Sequence, residues 1–212
     1  MKKLEVPLRL QSENSQDCGP VCVQIVLEYF GIQTSLESLI SKLTYVESGT
    51  SAYDNGSLLL SVGLKVKAIT AQPLLFSPNT IHSFKGKDDY IQAAAKRSSK
   101  VPADKPILDT LVTYLEQGGE MQLQIPSFEH IKEAIDAGNL IIALLYGNAL
   151  GSNEGGFHFC VVNGYDEEKV FITNPLPTSK RQDWFPVADF LFAVHSSTTK
   201  DVDNGTLLVI SK

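Results

Sequence analysis

Leu140-Ile141-Ile142-Ala143-Leu144-Leu145-Tyr146 is an uninterrupted apolar run. It is too short for an ordinary helix and too continuous to lie on a surface, so it predicts a strand buried on both faces. A hairpin is expected just downstream: strand Phe157–Tyr165, the polar turn Asp166-Glu167-Glu168-Lys169, then strand Val170–Thr173, closed by Asn174-Pro175. A strand buried on both faces needs paired neighbours and a cover above and below. This half of the chain must therefore build an antiparallel sheet, and other segments must pack on it. Between the run and the hairpin, Gly147–Gly156 reads as a flexible, glycine-rich loop. Further on, Trp184 falls in a loop, Val187–Val194 reads as a short helix and Thr206–Ile210 as a last strand.

The first half supplies the cover. Val21, Cys22, Ile25, Val26, Tyr29 and Phe30 recur at helical spacing, with Pro20 in the first turn, Gly31 as a stop and Asp17 placed to cap. Thr34 and Glu37 suggest a capping box for a second helix striped by Leu36, Leu39, Ile40 and Leu43. A polar stretch from Glu47 to Gly56 leads to a short helix at Ser57–Val62, and Gly63 opens the alternating strand Leu64–Ile69. A helix near Asp88–Arg97 and another at Ile107–Gln117, ended by Gly118-Gly119, precede a strand at Gln122–Ile125. Ser127 then caps a helix with Phe128, Ile131, Ala134 and Ile135 inward. The expected class is α+β, with an N-terminal helical lobe packed on a C-terminal antiparallel sheet lobe in a single domain of residues 1–212.

Composition removes several function classes. With 43% hydrophobic and 20% charged residues the chain can bury a real core, and its net charge of −6 argues against a nucleic-acid or anionic-membrane surface. Lys96, Arg97, Lys100 and Lys105 are interleaved with Ser and Pro and read as a solvated loop. No run reaches the ~18 apolar residues of a membrane span. Charges after Met-Lys-Lys interrupt any signal-peptide core. Three cysteines do not make a disulfide framework. Cytoplasmic is the default location, although secretion by a dedicated machine would leave little trace.

Cys18 is the chemically distinctive residue. It stands in Gln16-Asp17-Cys18-Gly19-Pro20, at the start of the first helix, where the dipole should favour thiolate and backbone N–H groups can hold an oxyanion. A nucleophile needs a base. Of His82, His130, His158 and His195, only His158 opens a core strand beside a glycine-rich loop. Antiparallel pairing puts Asn174, at the end of the next strand, roughly opposite His158, where its side-chain carbonyl can orient the imidazole. An amide donor for the oxyanion is sought upstream of Cys18: Gln11, at the end of an extended Val6–Leu10 segment, is preferred to Gln16. Cys18, Cys22, His158 and Cys160 could also supply four metal ligands. Cys22 and Cys160, however, occupy apolar core positions, so no metal or other cofactor is implied.

These residues together resemble the papain-like cysteine peptidases, and more closely the bacteriocin-processing, double-glycine leader peptidases and their stand-alone relatives. The resemblance rests on Asp17-Cys18-Gly19-Pro20, on His158-Phe159-Cys160-Val161-Val162-Asn163-Gly164-Tyr165-Asp166, and on Asn174-Pro175. The helix-to-strand units Ser57–Ile69 and Ala134–Leu145 also fit it. It spans residues 5–70 and 128–195 and leaves about 72–125 as an insertion. It implies Cys18 as nucleophile, His158 as base, Asn174 as orienting residue, Gln11 as oxyanion donor, and a peptide or protein substrate cleaved through a thioester. In two places the chain departs from the pattern. The family branch usually has Asp where Asn174 stands, and the Gln-to-Cys spacing is seven rather than the usual six. Alternatives are an inert peptide-binding module of the same fold, or a same-fold acyltransferase, amidase or deamidase.

Overall fold

A computed structural model describes residues 1–43, 49–72, 74–75, 83–150, 156–178, 181–197 and 205–212. Residues 47–48 of the expected polar stretch, 151–155 of the expected loop, and His82 lie outside the described residues. In chain order the helices are α1 (Cys18–Tyr29), α2 (Leu36–Ile40), α3 (Ala52–Ser61), α4 (Lys87–Lys100), α5 (Lys105–Glu116), α6 (Phe128–Asp136) and α7 (Val187–Ser196). The strands are β1 (Lys2–Lys3), β2 (Lys65–Thr70), β3 (Glu120–Leu123), β4 (Leu140–Tyr146), β5 (Phe157–Tyr165), β6 (Lys169–Thr173), β7 (Gln182–Pro186) and β8 (Leu207–Ser211).

All eight strands join one sheet of order β3-β2-β8-β4-β5-β6-β7, with β1 paired on β5. The expected α+β class holds, and pairing is antiparallel except between β2 and β3. The sheet is wider than a C-terminal lobe, because β2 from the first half and β3, which pairs with it, extend it. Alternation along β4 and β5 divides the core in two. Leu140, Ile142, Leu144, Phe159 and Val161 face α1, α3 and α5, whereas Ile141, Ala143, Leu145, Cys160 and Val162 face α6 and α7. The apolar run Leu140–Tyr146 is thus a strand covered on both sides, as its composition demands.

Several boundaries differ from the sequence reading, each for a local reason. Ser35, not Thr34, caps α2: its hydroxyl accepts from Ser38 N–H at 3.2 Å. α3 starts at Ala52 because the polar stretch contains its cap, Ser51, which accepts from Asp54 N–H at 3.0 Å and donates to Asp54 Oδ2 at 2.7 Å. Asp17 occupies the N-cap position of α1 but makes no side-chain cap hydrogen bond, since its backbone (φ −90°, ψ 15°) is not the extended form that aims a cap inward. Trp184 lies in β7, packed edge-on against Phe171 at 5.1 Å, and not in a loop. Gly147–Leu150 form a 3-10 turn. The N-terminal strand is Lys2–Lys3, and residues 6–10 carry no strand.

The segment 87–123 is fastened to the rest by α5. Tyr114 is fully buried, with its hydroxyl 2.8 Å from both the Val66 and Glu120 carbonyls, donating to one at a time across the β2–β3 pair. Gly56 and Gly119 make room for its ring: a Cβ would lie 2.8 Å and 2.4 Å from it. Removing the hydroxyl takes away the one donor that the buried Val66 carbonyl and the part-buried Glu120 carbonyl share. Tyr114→Phe should therefore lose about 1–2 kcal/mol, read as a lower midpoint in urea denaturation. An unchanged midpoint would show that the hydroxyl does not fasten the two strands.

Candidate active site

Strand β5 organises the site. On its β4 side the ladder runs from Phe157 to Val162, while on the other side β6 pairs only as far as Val161, opposite Thr173. β6 therefore does not extend along the first residues of β5, and the start of α1 meets β5 there. The Cys18 thiol is hydrogen-bonded by the backbone of Phe159, and by the Gly19 and Cys18 backbone, all of which favour thiolate and so act as N–H donors. Burial outweighs them and pushes the thiol pKa above its ordinary value of 9.0. The depressed pKa expected from the helix terminus alone is thus corrected: Cys18 is packed against β5, and the cost of a desolvated thiolate exceeds what the amides return.

That packing depends on Gly19. A Cβ there would lie 2.4 Å from Thr50 Oγ1 and 2.6 Å and 2.9 Å from the Asn55 amide. Thr50 and Asn55 are themselves buried and joined, Asn55 Nδ2 donating to Thr50 Oγ1 at 3.1 Å. The first turn of α1 is therefore seated on a polar contact from α3 that sequence reading did not single out.

His158 and Asn174 are brought together: His158 Nε2 lies 2.6 Å from Asn174 Oδ1. The same oxygen accepts from Leu176 N–H at 2.9 Å, which fixes the amide with its carbonyl toward the imidazole. Nε2 must then carry the proton, and Nδ1 is the basic nitrogen. The other described histidines do different work. His130 completes a capping box on α6, its Nδ1 accepting from Ser127 N–H at 3.1 Å, and burial lowers its pKa. His195 sits in the last turn of α7.

Gln11 is buried, whereas Gln16 is exposed. The N-terminal segment that delivers Gln11 is held along its length. β1 pairs with Gly164 and Tyr165, Leu4 N–H donates to the Asn163 carbonyl at 2.7 Å, and Gln11 N–H donates to the Pro175 carbonyl at 3.0 Å. Gln11 Nε2 donates to the Ser15 carbonyl at 2.9 Å. The chain between Gln11 and Cys18 is gathered by a turn in which Ser15 N–H donates to Ser12, with Asn14 in the left-handed region at φ 61°. Asn is among the residues that tolerate that region, and the turn accommodates the seven-residue spacing.

A second set of residues escaped the sequence reading. Asn163, fully buried at a β-bulge, donates to the Leu4 carbonyl at 2.8 Å and accepts from Thr173 Oγ1 at 3.0 Å, one residue before Asn174. Gly164 lets β1 approach, since a Cβ there would meet the Lys2 carbonyl at 2.9 Å. The signal was present: Asn-Gly inside a strand pattern marks a bulge or a close backbone approach. Cys22 and Cys160 are free and fully buried in the two cores. Among the described residues no group of three His, Cys, Asp or Glu side chains could hold a metal ion, and no helix is long and apolar enough to cross a membrane.

The sheet, its flanking helices and the approach of an N-terminal cysteine helix to a histidine strand are the architecture of the papain-like peptidases. Residues 6–84, which carry Cys18 and α1 to α3, match the Peptidase C39 family model. A search of curated proteins gives no match. Three solved structures share the fold over nearly the whole chain. A double-glycine motif protease from an AMS/PCAT transporter, crystallised with its leader peptide, is 15% identical with a TM-score of 0.51, covering 99% of this chain and 93% of that one. A putative C39-like peptidase from Bacillus anthracis is 16% identical with a TM-score of 0.52, covering 100% and 98%. The peptidase domain of Streptococcus ComA, a bifunctional ABC transporter involved in quorum sensing, is 14% identical with a TM-score of 0.51, covering 100% and 98%. Over residues 6–84 the chain is thus similar to the Peptidase C39 family, and over nearly its whole length it shares a fold with these three structures.

The seating of α1 is open to test. Gly19→Ala should cost about 1–3 kcal/mol through overpacking against Thr50 and Asn55, seen as a lower urea midpoint. Wild-type stability in that variant would mean the contact yields freely.

Proposed function

We propose that the protein is a cysteine peptidase that cleaves a peptide bond through Cys18, His158 and Asn174, with Gln11 at the oxyanion. The observation that carries this reading is the His158–Asn174 hydrogen bond of 2.6 Å, on an amide oxygen that the Leu176 N–H also holds. It leaves Nδ1 as the basic nitrogen on a strand whose next residue, Phe159, touches the Cys18 thiol through its backbone. Asn serves in place of Asp because what the imidazole requires of its partner here is an oriented acceptor.

In the reaction, Nδ1 takes the thiol proton and the sulfur attacks the substrate carbonyl carbon, forming a C–S bond and moving the π electrons onto oxygen. The oxyanion accepts hydrogen bonds from the Gln11 side-chain amide and the Cys18 backbone N–H. Its collapse breaks the C–N bond, and the imidazolium gives its proton to the leaving amine. Water, deprotonated by the neutral imidazole, then attacks the thioester. The second tetrahedral intermediate expels Cys18, releasing a carboxylic acid. The leader peptide bound by the AMS/PCAT protease supports a peptide as substrate.

Iodoacetamide labelling followed by peptide mapping tests the nucleophile. Cys18 should alkylate about a hundredfold or more faster than the buried Cys22 and Cys160, and His158→Ala should remove that advantage. Peptide hydrolysis should vanish in Cys18→Ser. Asn174→Ala should lower kcat by about ten- to a hundredfold, while Asn174→Asp keeps much of it. If Cys18 reacts no faster than Cys22, the peptidase reading fails. Equal turnover by wild type and both Asn174 variants would remove Asn174 from the site.

A further inference from the structure

We propose that Asn14 is a positioning residue for the oxyanion donor: the turn it permits presents the Ser15 carbonyl to the Gln11 amide, which leaves that amide's second N–H for the oxyanion. This rests on the peptidase reading above, in which Gln11 serves the oxyanion. Among the described residues Asn14 is the only one other than glycine with a positive φ, 61°. It stands between the proposed donor and the nucleophile. Ser15 N–H donates to the Ser12 carbonyl at 3.2 Å, so Ser12–Ser15 is a β-turn with Asn14 at its third position, where a type II turn demands positive φ. Ser12, Glu13 and Asn14 are all exposed, so no core packing of their side chains explains the conformation. Backbone held in a sparsely populated region is characteristic of functional sites.

What the turn does is visible at its last residue. The Ser15 carbonyl accepts from Gln11 Nε2 at 2.9 Å, and the Ser15 hydroxyl accepts from Asp17 N–H at 3.4 Å. Asp17 precedes α1, its carbonyl accepting from Val21 N–H at 2.9 Å. One residue thus ties the Gln11 side chain and the start of the Cys18 helix to the same point. A carbonyl pairs only with a donor, so Ser15 fixes the amide with its NH2 group toward the turn. Gln11 Oε1 is buried and accepts from no described residue, so no second contact holds the amide if Ser15 turns away. The NH2 group has two hydrogens: Ser15 takes one, and the other stays free to donate to an oxyanion. The Gln11 N–H bond to the Pro175 carbonyl, 3.0 Å long, anchors the backbone and leaves the side-chain rotation to Ser15.

The test compares two reactions of Cys18, of which one needs an oxyanion donor and the other does not. p-Nitrophenyl acetate acylates the sulfur: a C–S bond forms, the carbonyl oxygen takes the charge, and collapse to the thioester expels p-nitrophenolate. Iodoacetamide alkylates the sulfur by displacing iodide, and no oxyanion forms. The ratio of the two rates, each corrected with Cys18→Ser, cancels any change in the thiol itself or in the folded fraction. Gln11→Ala should lower the ratio about a hundredfold. Asn14→Val, whose branched side chain resists positive φ, should lower it about tenfold or more, and no further when combined with Gln11→Ala. Asn14→Gly, which adopts the turn freely, should keep it within about twofold of wild type. If Asn14→Val leaves the ratio unchanged, if its loss multiplies that of Gln11→Ala, or if Asn14→Gly loses as much, the turn does not position Gln11 and the peptidase reading stands. If Gln11→Ala leaves the ratio unchanged, Gln11 does not serve the oxyanion and the turn has no such role. If iodoacetamide fails to label Cys18 selectively, the peptidase reading itself falls.

Discussion

The site depends on where β6 stops pairing with β5. Up to Val161 both edges of β5 are occupied. Beyond that point β6 does not extend along β5, and the start of α1 can bring a sulfur against the Phe159 backbone. Asn174, which follows the last paired residue of β6, turns back toward His158 in the same gap. Gln11 is tied to Pro175, one residue further. Each of the four residues is therefore fixed within one residue of another, although they come from opposite ends of the chain. Rigid strands and a helix terminus supply the precision, which is what a preorganised site requires.

This arrangement has an electrostatic cost. Cys18 keeps part of its surface open to water, yet packing desolvates its thiol, and the three amide contacts do not offset the loss. An isolated Cys18 would be a poor nucleophile at neutral pH. The proposed function resolves this through His158: an imidazolium beside the sulfur stabilises the thiolate by direct Coulomb attraction, which is strong where water is excluded. The hydrogen bond to Asn174 keeps the proton on Nε2 and so directs the basic nitrogen away from the amide. Removing His158 should affect the charge state of Cys18 more than its position.

Much of this was legible in the residues. β4 was bounded correctly by its apolar run, and β5 by its motif and turn, because buried strands leave little freedom in composition. The pairing of His158 with Asn174 followed from hairpin geometry alone. What stayed hidden was set by contacts between distant segments. Thr50 and Asn55 look like ordinary polar residues until Gly19 is seen pressed against them. Asn163 gains its meaning only from Leu4 and Thr173. The upward push of burial on the thiol stayed hidden because a helix terminus is visible in sequence, whereas the strand that buries it is not.

The central claim is that His158 governs the ionisation of Cys18. Ultraviolet thiolate absorbance followed against pH, taken as the difference from the Cys18→Ser protein, measures this directly. With His158 present, the thiolate signal should persist below neutral pH, where the imidazolium holds it. In His158→Ala the imidazolium is gone, burial outweighs the amide contacts, and the signal should arise in a single step above the ordinary thiol value of 9.0. A wild-type protein that titrates in the same single step as the variant would contradict the account.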